Sequence, residues 1–157
     1  MKSLLSAVGC MLALGIAATA AHAQSMGDHQ IIRPDDVKWS AASPMFEKGA
    51  EIAVLYGDPS KEGLFALRFK MPKGYLIAPH THPKQEVVTV LSGTIRAGMG
   101  ETADPSKAQA VPAGGFFTFP PGMAHFVTTD EDTIIQLNSI GPWGLTYVNP
   151  KDDPRQK

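Results

Sequence analysis

The chain has 157 residues, the length of one ordinary domain. Hydrophobic residues make up 43% and charged residues 18%, a balance that suits a folded protein and excludes a disordered one. The formal net charge is -1 and the 14 Lys and Arg are spread along the chain, which argues against a nucleic-acid partner. A single cysteine excludes an internal disulfide and a cysteine-based zinc site.

The N-terminus reads as an export leader. Lys2 gives a short positive start, and Leu4 to Ala20 is apolar or small without a charge. Ala21-His22-Ala23 then fits a signal peptidase, so residues 1–23 are read as a cleaved signal peptide with Gln24 as the first mature residue. The rival readings are a transmembrane anchor, which this stretch is only just long enough to form, and a lipoprotein cut before Cys10. Cleavage after Ala23 removes Cys10 and leaves a mature chain without a thiol. The expected location is periplasmic or secreted, with no membrane contact once the signal is gone.

The mature chain is expected to hold an arm over residues 24–49, a β domain over 50–148 and a loosely packed polar tail over 149–157. A short strand is expected around Asp36 to Trp39. Alternating strands follow at Ile52–Tyr56 and Leu64–Met71, then a short one at Tyr75–Ile77 that stops at Pro79. Glu86–Leu91 and Thr94–Met99 form a hairpin around Gly93, and Glu101–Gln109 reads as a loop or one helical turn. Phe116–Phe119, His125–Thr129, Thr133–Ser139 and Gly144–Val148 complete about nine or ten short strands rich in Val, Ile, Thr and Phe. The 15 Gly and 13 Pro fit such punctuation, and no long segment carries a helical stripe. The fold class is all-β, a single-domain sandwich or barrel with antiparallel strands.

The chemistry sits on three histidines. His80 and His82 are two apart on an extended segment, so their side chains share a face. Pro83-Lys84-Gln85 can turn the chain so that the Glu86 carboxylate returns toward that face. His125, after the Pro120-Pro121-Gly122 turn, lies on a later strand that a rolled sheet can bring alongside. Imidazole and carboxylate together suit one divalent transition metal: Fe, Mn, Ni, Cu, Co or Zn. A metal also partners buried groups that are costly to leave alone.

These residues resemble the two motifs of the cupin superfamily. The first is Gly74-Tyr-Leu-Ile-Ala-Pro-His80-Thr81-His82-Pro-Lys-Gln-Glu86-Val-Val-Thr-Val-Leu-Ser-Gly93, matched at every motif position. The second is Gly114-Gly-Phe-Phe-Thr-Phe-Pro120-Pro121-Gly122-Met-Ala-His125-Phe-Val-Thr-Thr129, with Thr129 where the pattern has Asn, a position that is not a metal ligand. The resemblance implies a cupin jelly roll (a double-stranded β-helix barrel) with His80, His82, Glu86 and His125 as metal ligands. It does not fix the reaction, since cupins include dioxygenases, isomerases, lyases and non-catalytic binders.

The remaining expectations are these. Phe69, Met71, Phe117, Phe119 and Met99 line the barrel. Gln136, an amide among Ile134, Ile135 and Leu137, orients a substrate or ligand, or packs beside a backbone group; Tyr147 and Trp143 cap the mouth. The leading function is a metal-dependent oxidoreductase of dioxygenase type acting on a small oxygen-bearing molecule. Its alternatives are a metal-dependent isomerase or lyase and a non-catalytic binder. The resemblance to cupins, among which dimers are common, implies that a homodimer is one possible assembly, with the arm before Pro44 able to reach a partner.

Overall fold

The structure is a computed structural model that describes residues 29–157. The leader and its cleavage point therefore lie outside the described residues. Residues Ile32–Lys157 form one unit. In chain order its strands are β1 (Ser40–Ala41), β2 (Glu51–Tyr56), β3 (Gly63–Met71), β4 (Leu76–Thr81), β5 (Glu86–Ser92) and β6 (Thr94–Met99). They continue as β7 (Gln109–Pro112), β8 (Phe116–Phe119), β9 (His125–Thr129), β10 (Thr133–Gly141) and β11 (Thr146–Tyr147). Short 3-10 turns are the only helical elements among the described residues.

The strands form two sheets, one ordered β1-β2-β3-β10-β5-β8 and the other β11-β4-β9-β6-β7. Every pairing is antiparallel, as the all-β reading expects. The core lies between the sheets. Period-two alternation sends Phe65, Leu67, Phe69 and Met71 of β3 inward, with Val88 and Val90 of β5 and Ile135 and Leu137 of β10 beside them. Ile95 of β6 and Val127 of β9 face them from the second sheet. Burying each such side chain contributes about 1.5–3 kcal/mol, so these two faces hold the sheets together.

Turn chemistry sets the strand ends. Gly93 takes a φ of +75° between β5 and β6, and a Cβ there would stand 2.5 Å from the Asp132 carbonyl oxygen. Thr129, at the end of the second motif, is buried. Its hydroxyl donates to the Pro72 carbonyl and accepts from the Tyr75 amide, tying β9 to the turn before β4. Its role is to hold that turn.

Several local expectations are corrected. The strand around Asp36 to Trp39 is absent: Pro34–Asp36 is a 3-10 turn, because Pro34 fixes φ at its first position and the Val37 amide closes back on the Pro34 carbonyl. The paired strand comes later, at Ser40–Ala41. Pro79 does not end β4. The β4–β9 register shifts between Ile77 and His80, and Pro79 falls within that irregularity, where a missing amide hydrogen does no harm. The loop or helical turn expected over Glu101–Gln109 holds a 3-10 turn at Pro105–Lys107, in keeping with that reading, whereas β7, which begins at Gln109, is a mostly exposed edge strand that was not expected. Met99 does not line the barrel; it is 72% exposed at the end of β6.

Residues of the arm and the tail both contribute buried side chains. Phe46 is buried in the core and meets Phe69 edge-on, with ring centroids 4.7 Å apart. In the tail, Asp153 is buried and pairs with Arg155 at 2.7 Å. Among the described residues no helix is long and apolar enough to cross a membrane.

Candidate metal centre

The three histidines meet between the sheets. His80 on β4 and His125 on β9 are direct cross-strand partners, which places their ring centroids 4.3 Å apart. The shifted register also re-aims β4: Ile77 and His80, three residues apart, both line the same cavity. His82 follows the end of β4, with its ring 4.8 Å from His80 and 5.2 Å from His125. One ligating nitrogen from each lies within 4.8 Å of the others, and all three side chains are buried.

Glu86 enters from the opposite sheet as the first residue of β5. Its carboxylate oxygens lie 3.7 Å from His82 Nε2 and 3.3 Å from His125 Nε2. Two bonds set up this approach. The Ser139 hydroxyl donates to the Gln85 carbonyl at 2.6 Å and fixes the Pro83-Lys84-Gln85 turn. The Gly122 amide, at a φ of +75°, donates to the His82 carbonyl at 2.9 Å and joins the second motif to the first.

Backbone carbonyls fix the tautomers. His80 Nδ1 donates to the Ala78 carbonyl at 2.7 Å, His82 Nδ1 to Gly144 at 2.7 Å and His125 Nδ1 to Met123 at 2.9 Å. A carbonyl can only accept, so each Nδ1 carries the proton and each Nε2 presents a lone pair. His82 Nε2 and His125 Nε2 are buried without a hydrogen-bond partner, beside a carboxylate that also has only lone pairs to offer. A cation or a proton standing among these atoms would relieve that juxtaposition. The residues therefore fit a borderline divalent ion with imidazole and carboxylate donors, and do not select among the metals of that class.

Burial favours the neutral imidazoles that such an ion needs. It pushes the His80 pKa well below the ordinary 6.5, and the nearby His125 and His82 rings act in the same direction. Burial also lowers His82, although Glu86 and the Gly144 carbonyl oppose it.

The support around the histidines is aromatic. Phe119 stacks on His125 with centroids 4.0 Å apart and planes 19° apart, and Trp143 stacks on His82 at 4.4 Å and 20°. Tyr147, paired with His80 in the β11–β4 register, meets that ring edge-on at 6.2 Å. Its hydroxyl donates to the Met45 carbonyl at 2.9 Å, and burial raises its pKa to about 12. Tyr147 thus buttresses His80 and stays protonated near neutral pH. Gln136 is placed elsewhere. Its neighbours Ile135 and Leu137 line the cavity, so alternation turns Gln136 to the other face of the sheet, where its amide stands 3.5 Å from Asn138 Oδ1.

Two contributors had no sequence signal. Gly144 orients His82 through a backbone carbonyl, which any residue possesses. Ser139 acts on the 83–85 turn from a strand distant in sequence. The stacking of Phe119 on His125 and of Trp143 on His82 likewise leaves no mark in the sequence.

The cavity beside the imidazoles holds about 30 Å³. Besides the three histidines and Glu86, its lining is hydrocarbon and aromatic, and Phe69, Phe117, Ile135 and Leu145 contribute to it.

Comparison with known proteins gives a consistent picture. Residues 57–137 match the cupin family. The germin-like protein 5-1 of Oryza sativa subsp. japonica is 39% identical over 72 residues, covering 45% of this chain and 33% of that protein. The match thus spans about a third of that relative's length. Among solved structures, the polyketide cyclase RemF from Streptomyces resistomycificus superposes with a TM-score of 0.68 at 16% identity, covering 82% of this chain and 92% of that one. An RmlC-like cupin from Shewanella frigidimarina NCIMB 400 gives a TM-score of 0.56 at 15% identity, covering 72% and 91%. At such identities the structural likeness concerns the fold alone. The family match covers more than half of the chain and takes in strands of both sheets and the histidine cluster; this chain belongs to the cupin family.

Proposed function

We propose that this cupin is an exported, mononuclear metalloenzyme that oxidises a small oxygen-bearing organic molecule in the manner of a dioxygenase. His80, His82, Glu86 and His125 hold one divalent transition metal. The observation that carries this reading is the set of three Nδ1–H bonds to backbone carbonyls, which turn the Nε2 lone pairs into a buried space beside the Glu86 carboxylate. Such an ion would be held by these four side chains and would supply Lewis acidity toward a small oxygen-bearing ligand.

The chain's own residues do the rest. The carbonyls of Ala78, Gly144 and Met123 hold each imidazole in its ligating tautomer. The hydrocarbon and aromatic lining limits water around the ligands. Oxidation is preferred to isomerisation or elimination because those reactions call for a general acid or base beside the substrate. Among the described residues, the cavity has no titratable side chain apart from the four ligands, and the Tyr147 hydroxyl is bonded away to Met45. Export rests on the leader read in residues 1–23.

A second reading, a non-catalytic binder of a metal or small ligand, is favoured by the cavity volume of about 30 Å³, well below the several hundred Å³ usual for a substrate site. Oxygen uptake separates the two. Protein loaded with Fe(II) or Mn(II) is screened against small hydroxy acids, diketones and phenols. Substrate-dependent uptake that is lost in His125→Ala supports the enzyme. Tight metal binding with no uptake under any loading supports the binder. Absence of stoichiometric metal binding refutes both.

A further inference from the structure

Trp143 is the unexplained polar group at this site. It follows β10, and its backbone amide is anchored to the Pro59 carbonyl at 2.7 Å. One face of the indole stacks on His82, and the ring meets the fully buried Phe65 edge-on at 6.0 Å. The side chain lines the cavity with the imidazoles, and its Nε1 is buried without a hydrogen-bond partner. A buried indole N–H normally finds an acceptor. Among the described residues, and apart from the three histidines and Glu86, Trp143 is the only lining residue whose side chain carries a polar hydrogen.

We propose that Trp143 is a specificity-determining residue whose indole N–H donates to the acceptor atom of a small anion held beside His80, His82 and His125. This rests on the metal-site reading above and adds the chemical class of the ligand. Three features converge on that class. A cavity of about 30 Å³ admits a ligand of only a few non-hydrogen atoms as it stands. The hydrocarbon lining offers such a ligand no other donor, so an acceptor on it meets the N–H and the metal and little else. The stack on His82 holds the indole plane beside that ring, and its orphaned N–H is the polar group there still in want of an acceptor. Indole has no acceptor, so the site discriminates against a ligand that presents only donors.

The test uses azide and formate as probe anions. In the Zn(II)-loaded protein, the indole N–H resonances of Trp39 and Trp143 are followed by 15N-edited NMR, with Trp39→Phe assigning them. Each anion is expected to move the Trp143 proton downfield and leave Trp39 in place. In the Cu(II)-loaded protein, azide affinity is read from its charge-transfer band. Trp143→Phe keeps an aromatic ring but removes the donor, and should weaken azide about tenfold, the loss of one charge-assisted hydrogen bond. Its copper stoichiometry should equal that of wild type. Equal azide affinity in the variant, or an unmoved Trp143 proton in wild type, overturns the proposal and leaves the metal site standing. If wild type binds neither metal, the metal-site reading fails and this inference fails with it. The NMR measurement needs no change at Trp143, so poor folding of Trp143→Phe would not spare the proposal.

Discussion

Acidifying the metal-free protein should destabilise it through His80. Burial, followed by the neighbouring His125 and His82 rings, holds the His80 pKa well below the ordinary 6.5. Above that value the imidazole is neutral in both folded and unfolded chains and contributes nothing to pH dependence. Below it the unfolded chain takes a proton that the folded chain refuses, so stability falls with pH until the folded pKa is reached. An imidazole that stays neutral in the folded state costs about 1.4 kcal/mol at pH 5.5 relative to pH 8. His82 is lowered in the same direction, with Glu86 opposing, so it adds to the loss rather than cancelling it. The assay is urea unfolding in the presence of a chelator at pH 8 and pH 5.5, with wild type compared against His80→Asn. Asparagine retains a donor for the Ala78 carbonyl but has no proton to gain in this range. Wild type should lose at least about 1 kcal/mol more than the variant over that interval. An equal loss in the two proteins would refute the claim that the folded site excludes the proton at His80.

Three further outcomes follow from the packing and the turns. Phe65→Ala removes a fully buried ring and its edge contact with Trp143, and should cost about 3–5 kcal/mol in chemical unfolding. Gly93→Ala places a Cβ 2.5 Å from the Asp132 carbonyl oxygen at a φ of +75°, and should lower stability by more than about 1 kcal/mol. Ser139→Ala breaks the bond to the Gln85 carbonyl that fixes the turn before Glu86. It should weaken metal binding about tenfold or more by isothermal titration, while the far-ultraviolet spectrum stays that of a β protein.

The convergence of these side chains was legible because its geometry is written locally. His80 and His82 share a face through strand periodicity, and the Pro83-Lys84-Gln85 turn sits directly before Glu86. His125 was legible through the turn that precedes it, although its pairing with His80 depends on the folding of two strands far apart in sequence. The register shift at Pro79 was hidden, since proline normally argues against a continuing strand and its tolerance depends on the neighbouring strand. For Gln136 the sequence left open a ligand-orienting role and simple packing, because a lone amide among apolar residues does not tell which face it takes. Strict alternation with Ile135 and Leu137, both on the cavity side, sends it outward. The edge strand β7 escaped notice because an exposed strand has no need of an apolar face. Gly144 illustrates a deeper limit: the atom that orients His82 is a carbonyl oxygen, and no choice of side chain advertises it.

Anomalous diffraction from crystals of the zinc-loaded protein tests the metal centre most directly. One peak per chain is expected, about 2.0–2.2 Å from the Nε2 atoms of His80, His82 and His125 and from a Glu86 carboxylate oxygen. Zinc bound through any Nδ1, or no ordered zinc within reach of these four side chains, would contradict it.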